Sequence, residues 1–273
     1  MFRRILATPE GMIGTLLLAL LIGMALSAPV LFPGDPQAIA GRPMIAPLQD
    51  PAFPLGTDRL GRDLLAGIFH GARASLLVGL AAALTAMGAG MVFGTLAGFS
   101  GGIVDEAMMR IVDAFQIVPG FLLALAFVSA LGPSLGTVVL AIALGAWTGP
   151  ARLARAQVLR LRQADFVAAA RVMGMHPAEI AFRQIMPLAF GPVLALSSMI
   201  VAGAVLTESA LSFLGLGDPN TVTWGAMIAE GRNQLRSAAY LSLIPGLALV
   251  LTVMAVHLSG EAFTLALRGR GKP

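Results

Sequence analysis

Cysteine is absent from all 273 residues, lysine occurs once, at Lys272, and tyrosine once, at Tyr240. Without thiols, neither disulfide staples nor thiolate nucleophiles can form. A phosphate-cradling P-loop needs a lysine after a glycine-rich run, followed by Ser or Thr. Lys272 is followed by Pro273, so the chain has no such site and is not expected to hydrolyse ATP by itself. The three histidines, His70, His176 and His257, are far apart with no ligand-spaced pair, so no metal site is expected. Charge is also scarce, at 12% of residues, about half the share in an ordinary soluble domain. Despite a formal net charge of +4, no basic patch is interleaved with aromatics, which argues against a nucleic-acid partner.

What fills the chain is apolar: 57% of residues are hydrophobic, gathered in long blocks that a water-soluble fold could not hide. A bilayer suits such blocks, each crossing needing about 20 mostly apolar residues. The pattern predicts an all-α, polytopic transmembrane helical bundle of about six spans, at 12–32, 74–99, 103–131, 135–147, 188–211 and 241–258. The first block follows Arg3 and Arg4 and has small residues near Ala28, which also fits a signal peptide; its length favours an uncleaved anchor. The organisation expected is a tail and first helix (1–33), a proline-rich periplasmic loop (34–73), a core (74–267) and a short tail (268–273).

The third span begins amphipathically, with Asp105, Glu106, Arg110 and Asp113. Glu106 with Arg110 and Arg110 with Asp113 are spaced to pair on one helix face, and Pro119 is expected to kink the helix. Twelve of the eighteen basic residues fall on the proposed inner side. The positive-inside rule then puts both termini in the cytoplasm, as an even number of spans requires. Two polar features sit within or near spans: Glu208 towards the outer end of the fifth and His257 near the inner end of the sixth. Ionisable groups in lipid are default candidates for a pathway or gate. Structural bonding to a neighbour competes for both, and an outer-surface position for Glu208.

Between the fourth and fifth spans lies the long polar segment 152–187. Asp165 to Val172 reads as a short helix ending near Gly174, and His176-Pro177 opens a second, with Pro177 suited to a first helical turn. Two short helices around a glycine bend make a knob that a partner could grip; an amphipathic linker on the lipid surface is the plain alternative.

This segment resembles the loop that ABC-transporter permeases present to their ATPases. Ala169, Ala170, Gly174, Ile185 and Pro187 match its pattern, while Ala168 and Met186 stand where Glu and Leu are usual. Val167, Ala169, Ala170 and Arg171 fit the form of the peptide subgroup. Residues 55–63, 101–119, 208–217, 224–228 and 245–248, in this order, resemble the second permease subunit of dipeptide, oligopeptide and nickel importers. The resemblance implies a type I ABC importer permease fold in the inner membrane. Implied partners are a paralogous permease, two cytoplasmic ATPases carrying ATP and magnesium, and a periplasmic solute-binding protein; no cofactor is implied for this chain itself.

It further implies that Ala169, Ala170, Gly174 and Pro187 shape a coupling knob, with Arg171, His176, Pro177, Glu179 and Arg183 near the ATPase. Gly56, Thr57, Asp58, Gly61, Arg62 and Asp63 are candidates to face the binding protein, or to hold the loop together. Nickel chelates, glutathione or another small solute remain alternative cargoes. An ion-driven secondary transporter would call for more intramembrane charges and broken repeats. A hydrolase using His257 with Ser259 is the most remote alternative.

Overall fold

Lipid offers the backbone no hydrogen bonds, so apolar segments that cross it must satisfy their own peptide groups as helices. In the computed structural model, which describes residues 8–268, the ordered elements are all helical and no β-strand occurs among the described residues. Arg3, Arg4 and residues 269–273, expected in the cytoplasm, lie outside the described residues. Three helices are each long and apolar enough to cross a bilayer: α1 (Pro9–Leu31), α2 (Leu64–Ser100) and α12 (Tyr240–Arg268). Three further crossings come from bent pairs, giving up to six by length and composition.

Each bend has a local cause. α3 (Gly102–Ile117) and α4 (Gly120–Leu131) meet at 84°. Between them Pro119 has no N–H to donate, and Val118 is pushed to φ −89°, ψ 126°. The kink expected at Pro119 is thus a sharp break. α5 (Leu135–Ala146) and α6 (Thr148–Leu161) bend by 47° at Trp147, just before Pro150. α7 (Asp165–Val172) is followed by a short turn of helix, α8 (Pro177–Glu179), and a π-helical stretch, Ile180–Ile185. Pro187 comes directly after, with no N–H for the Arg183 carbonyl. α9 (Met186–Leu194) and α10 (Ser197–Phe213) complete the fifth crossing, which bends by 61°. α11 (Trp224–Gly231) lies in the last long connection.

α2 is the central post. It packs most extensively on α6, and also on α10, α1 and α5. Its glycines make the α6 contact possible. A Cβ at Gly94 would collide with the Ala151 carbonyl, and one at Gly98 would sit 2.9 Å from the Arg155 carbonyl. Small residues at four-residue spacing let two helix backbones touch, the usual way helices associate in lipid. Outward faces are apolar, with Leu16, Leu20, Leu26 and Val30 exposed on α1 and Leu243, Leu247 and Val250 on α12.

Two expectations change. The proline-rich loop ends at residue 63, not 73, because the Asp63 carboxylate accepts from the Leu65 N–H at 2.8 Å and caps α2 early. Glu106 and Arg110 do approach, at 3.5 Å, but Asp113 turns away from Arg110 to Arg152, at 2.6 Å.

Candidate functional site

The knob is built on a buried face. Val167 and Ala170 of α7 pack with Ala154 and Val158 of α6, with Met87 and Met91 of α2, and with Ile180, Ile185 and Ala189. A segment seated in this way follows the helices beneath it. Gly174 turns the chain at φ +74°, a conformation that costs a side-chain-bearing residue about 1 kcal/mol or more. His176 Nδ1 accepts from the Ala178 N–H at 3.3 Å and caps the Pro177 turn, and Arg183 pairs with Glu179 at 2.8 Å. Ala169, Arg171, Gly174, His176, Pro177, Arg183 and Pro187 are exposed, Glu179 is half-buried, and Ala170 is buried as a foundation residue.

Sequence reasoning missed the apolar cap on this knob. Val172 and Met173 are 89% and 72% exposed, directly before the Gly174 turn, with Phe166 on the same short helix 38% exposed. Clustered exposed apolar side chains mark a surface that something covers. The signal lies in the order Val-Met-Gly after a helix whose buried positions are Val167 and Ala170, which puts Val172 and Met173 off the buried face.

At the opposite end, the proline-rich loop folds onto the last connection. Thr57 is fully buried; its hydroxyl donates to the Arg42 carbonyl at 2.6 Å and accepts from the Ile45 N–H at 3.0 Å. Asp58 Oδ1 accepts from the backbone N–H groups of Leu60 and Arg62 at 2.7 and 2.8 Å. Gly56 and Gly61, both at φ +83°, press against the backbone of residues 41–47. The single tyrosine, Tyr240, places its hydroxyl 2.9 and 3.1 Å from the carbonyls of Ile45 and Thr57. Arg62 reaches Glu230 at 3.4 Å, and the Gln37 amide donates to the Pro219 carbonyl at 3.2 Å. Beneath these links lies a cavity of about 440 Å³, bordered by Arg59, Arg62, Asp218, Glu230 and Ser212. Of the six loop residues singled out, then, Thr57 is internal and Gly56, Gly61, Asp58 and Asp63 hold the backbone. Arg62, paired with Asp58 at 3.9 Å and with Glu230 at 3.4 Å, lines the cavity together with Asp58 and Asp63.

Glu208 is buried, at 2% exposure, not at an outer surface. Its carboxylate accepts from Ser212 at 2.7 Å, Ser209 at 3.3 Å and Ser75 of α2 at 3.4 Å, joining α10 to the central post through neutral hydroxyls. His257 lies on an exposed face of α12, while the Ser259 hydroxyl is buried. Residues two apart on a helix do not face one another, so this pair does not form a nucleophile and base.

The family described as "Binding-protein-dependent transport system inner membrane component" matches residues 90–270. The chain belongs to this family. It is a multi-pass inner-membrane subunit of a binding-protein-dependent transport system, which operates with a solute-binding protein and an ATPase. A di/tripeptide transport system permease protein of Pseudomonas aeruginosa is 37% identical over 94% of this chain and 88% of its own length. A glutathione transport system permease protein of Pectobacterium atrosepticum is 36% identical over 97% of this chain and 89% of its own. The oligopeptide transport system permease protein of Bacillus subtilis is 33% identical over 94% and 84%. Among solved structures, a chain of the inward-facing methionine ABC transporter MetNI matches with a TM-score of 0.56 at 17% identity. That match covers 75% of this chain and 95% of the other, and supports the type I importer permease fold.

Proposed function

We propose that this permease subunit imports di- and oligopeptides across the inner membrane as a heterodimer with a paralogous permease. ATP and magnesium bind on two separate ATPase chains, and this chain's part is to convert their closure into movement of its spans. The observation that carries the mechanical half is the knob: a buried foundation of Val167 and Ala170 beneath an exposed cap of Val172 and Met173. A floppy loop would absorb the displacement; a seated one transmits it. Gly174 sets the turn, Pro187 ends the knob where α9 begins, and Arg171, His176, Pro177, Glu179 and Arg183 lie around the cap where an ATPase groove would meet them. Both termini then face the cytoplasm, on the same side as the knob. At the other end, Arg62 and the cavity beside it face the binding protein, with Gly56, Thr57, Asp58, Gly61 and Asp63 holding that surface in shape. Glu208 locks α10 to the central post, and His257, on an exposed face of α12, is the remaining candidate for a pathway or gating group.

The peptide cargo is supported by the similarity to peptide permeases. A second cargo, glutathione, is favoured by the 36% identity to a glutathione permease; being a tripeptide, it fits the same chemistry. Proteoliposomes holding the permease pair and both ATPases, supplied with the cognate binding protein, test both. ATP-dependent uptake of labelled dipeptides and not glutathione is the expected result. Uptake that persists without ATP and collapses with the proton gradient would overturn the ATP-driven reading.

A further inference from the structure

α3 is held to the bundle by a short apolar seam and, beside it, by ion pairs. Only two of its residues are buried: Asp105 and Val112. Val112 packs with Ala151 and Trp147, Met109 and Phe115 lie against the same cluster with the Phe115 ring edge-on to Trp147 at 5.4 Å, and beside this seam the attachment to α6 is ionic. Arg155 forks onto Asp105, with Nε to Oδ1 at 2.6 Å and Nη2 to Oδ2 at 2.7 Å. Arg152 meets Asp113 at 2.6 Å. A cavity of about 490 Å³ lies between the helices here, bordered by Asp105, Met109, Asp113, Arg152 and Arg155. Charges thus bridge the two helices over an open hollow beside the apolar seam.

The spacing matters. Asp105 and Asp113 are about 12 Å apart along α3, whereas Arg152 and Arg155 are about 4.5 Å apart along α6, at 1.5 Å per residue. The pairs therefore splay from one turn of α6 to two separated points on α3, and so resist pivoting as well as sliding. A two-pronged guanidinium–carboxylate bond is also the strongest and most direction-specific of side-chain pairs. On its other side α6 is bound to α2 by the glycine contacts and by Arg162, which donates to the Gly98 carbonyl at 3.0 Å. α6 runs straight into the knob, and α3 runs through the Val118–Pro119 break into α4, which packs on α5.

We propose that Asp105–Arg155 and Asp113–Arg152 form a two-point ionic strut by which movement of the knob, carried along α6, is passed to α3 and through it to the α4–α5 pair. The four residues are positioning residues. The strut rests on the coupling role of the knob, and not on the cargo.

The test uses the whole complex in proteoliposomes with a labelled dipeptide, reading dipeptide imported per ATP hydrolysed. Asp105→Asn, which keeps the shape and removes the charge, is expected to hydrolyse ATP but import about tenfold less per ATP, within the range of ordinary coupling free energies. Arg155→Lys, which keeps the charge and loses the fork, should fall between. Asp105→Arg combined with Arg155→Asp should recover part of the loss. Independently of cargo, spin labels at the exposed positions Ile103 and Gln163 report the distance between α3 and the α6–α7 junction. With the strut intact that distance stays narrow with and without ATP; in Asp105→Asn/Asp113→Asn it broadens. An unchanged distance distribution in the double variant, or import per ATP equal to wild type, would overturn the strut. A wild-type distance that stays narrow with and without ATP and broadens in the double variant, in a complex that imports no dipeptide, would instead refute the cargo alone.

Discussion

Glu208 and Tyr240 show how single polar groups in an apolar chain fix the arrangement of segments distant in sequence. Glu208 collects three serine hydroxyls at one buried point. Glu208→Ala leaves Ser75, Ser209 and Ser212 without that acceptor, at a cost of about 1–3 kcal/mol, and should lower the melting temperature of the purified complex. Glu208→Gln keeps an acceptor and should cost less; equal melting of both variants would show that the hydroxyls find other partners. Tyr240→Phe removes one hydroxyl from the junction with Ile45 and Thr57. Its cost, about 1 kcal/mol, should appear as faster proteolysis within residues 32–63 while the knob stays as resistant as before.

For the elements, the governing contact is α2 on α6. Gly94→Leu drives a side chain into the Ala151 carbonyl and the Ala154 methyl, where overpacking costs at least about 1–3 kcal/mol. The variant should fail to run as an assembled complex on size exclusion. Gly88→Ala, on the same helix, meets nothing within 4 Å and should assemble normally. Loss of assembly in both would point to membrane insertion and not to the close contact, since Ala and Leu are both better helix formers than Gly. The bent pairs belong to this scale as well: prolines at 119, 150 and 192 sit at or near the three breaks. Bends divide a span into two levers, which a straight helix cannot offer.

Across the whole molecule, two ends with different chemistry face opposite ways. One is an ordered loop assembly over a cavity; the other is the knob with its apolar cap. Met173→Glu places a charge in the surface that an ATPase would cover. Loss of a central apolar contact typically costs more than about 1 kcal/mol, so ATPase association should weaken roughly tenfold, measured by co-purification across a dilution series. Full association in Met173→Glu would move the contact elsewhere on the knob. Orientation has its own test. A cysteine in place of His176, in a chain with no other cysteine, should react with an impermeant thiol reagent in inverted vesicles and not in intact cells. Reaction from outside intact cells would reverse the topology.

Apolar blocks of crossing length, the break at Pro119 and the turn at Gly174 were all legible in the residues, because each depends on a local rule: hydropathy over one helix, a missing N–H, a positive φ. The family was legible too, from short motifs in a fixed order. Pairings over distance were not. Arg155 finds Asp105 fifty residues away, and Tyr240 finds Ile45 across 195. Helix periodicity offered Arg110 as the partner of Asp113, but the packing of α6 supplied Arg152. Local sequence sets which segments become helices and where they must bend, since those energies are settled within a few residues. Which charges meet, which carboxylate is buried and which apolar face stays uncovered depend on how the helices stack, and only the tertiary structure decided them.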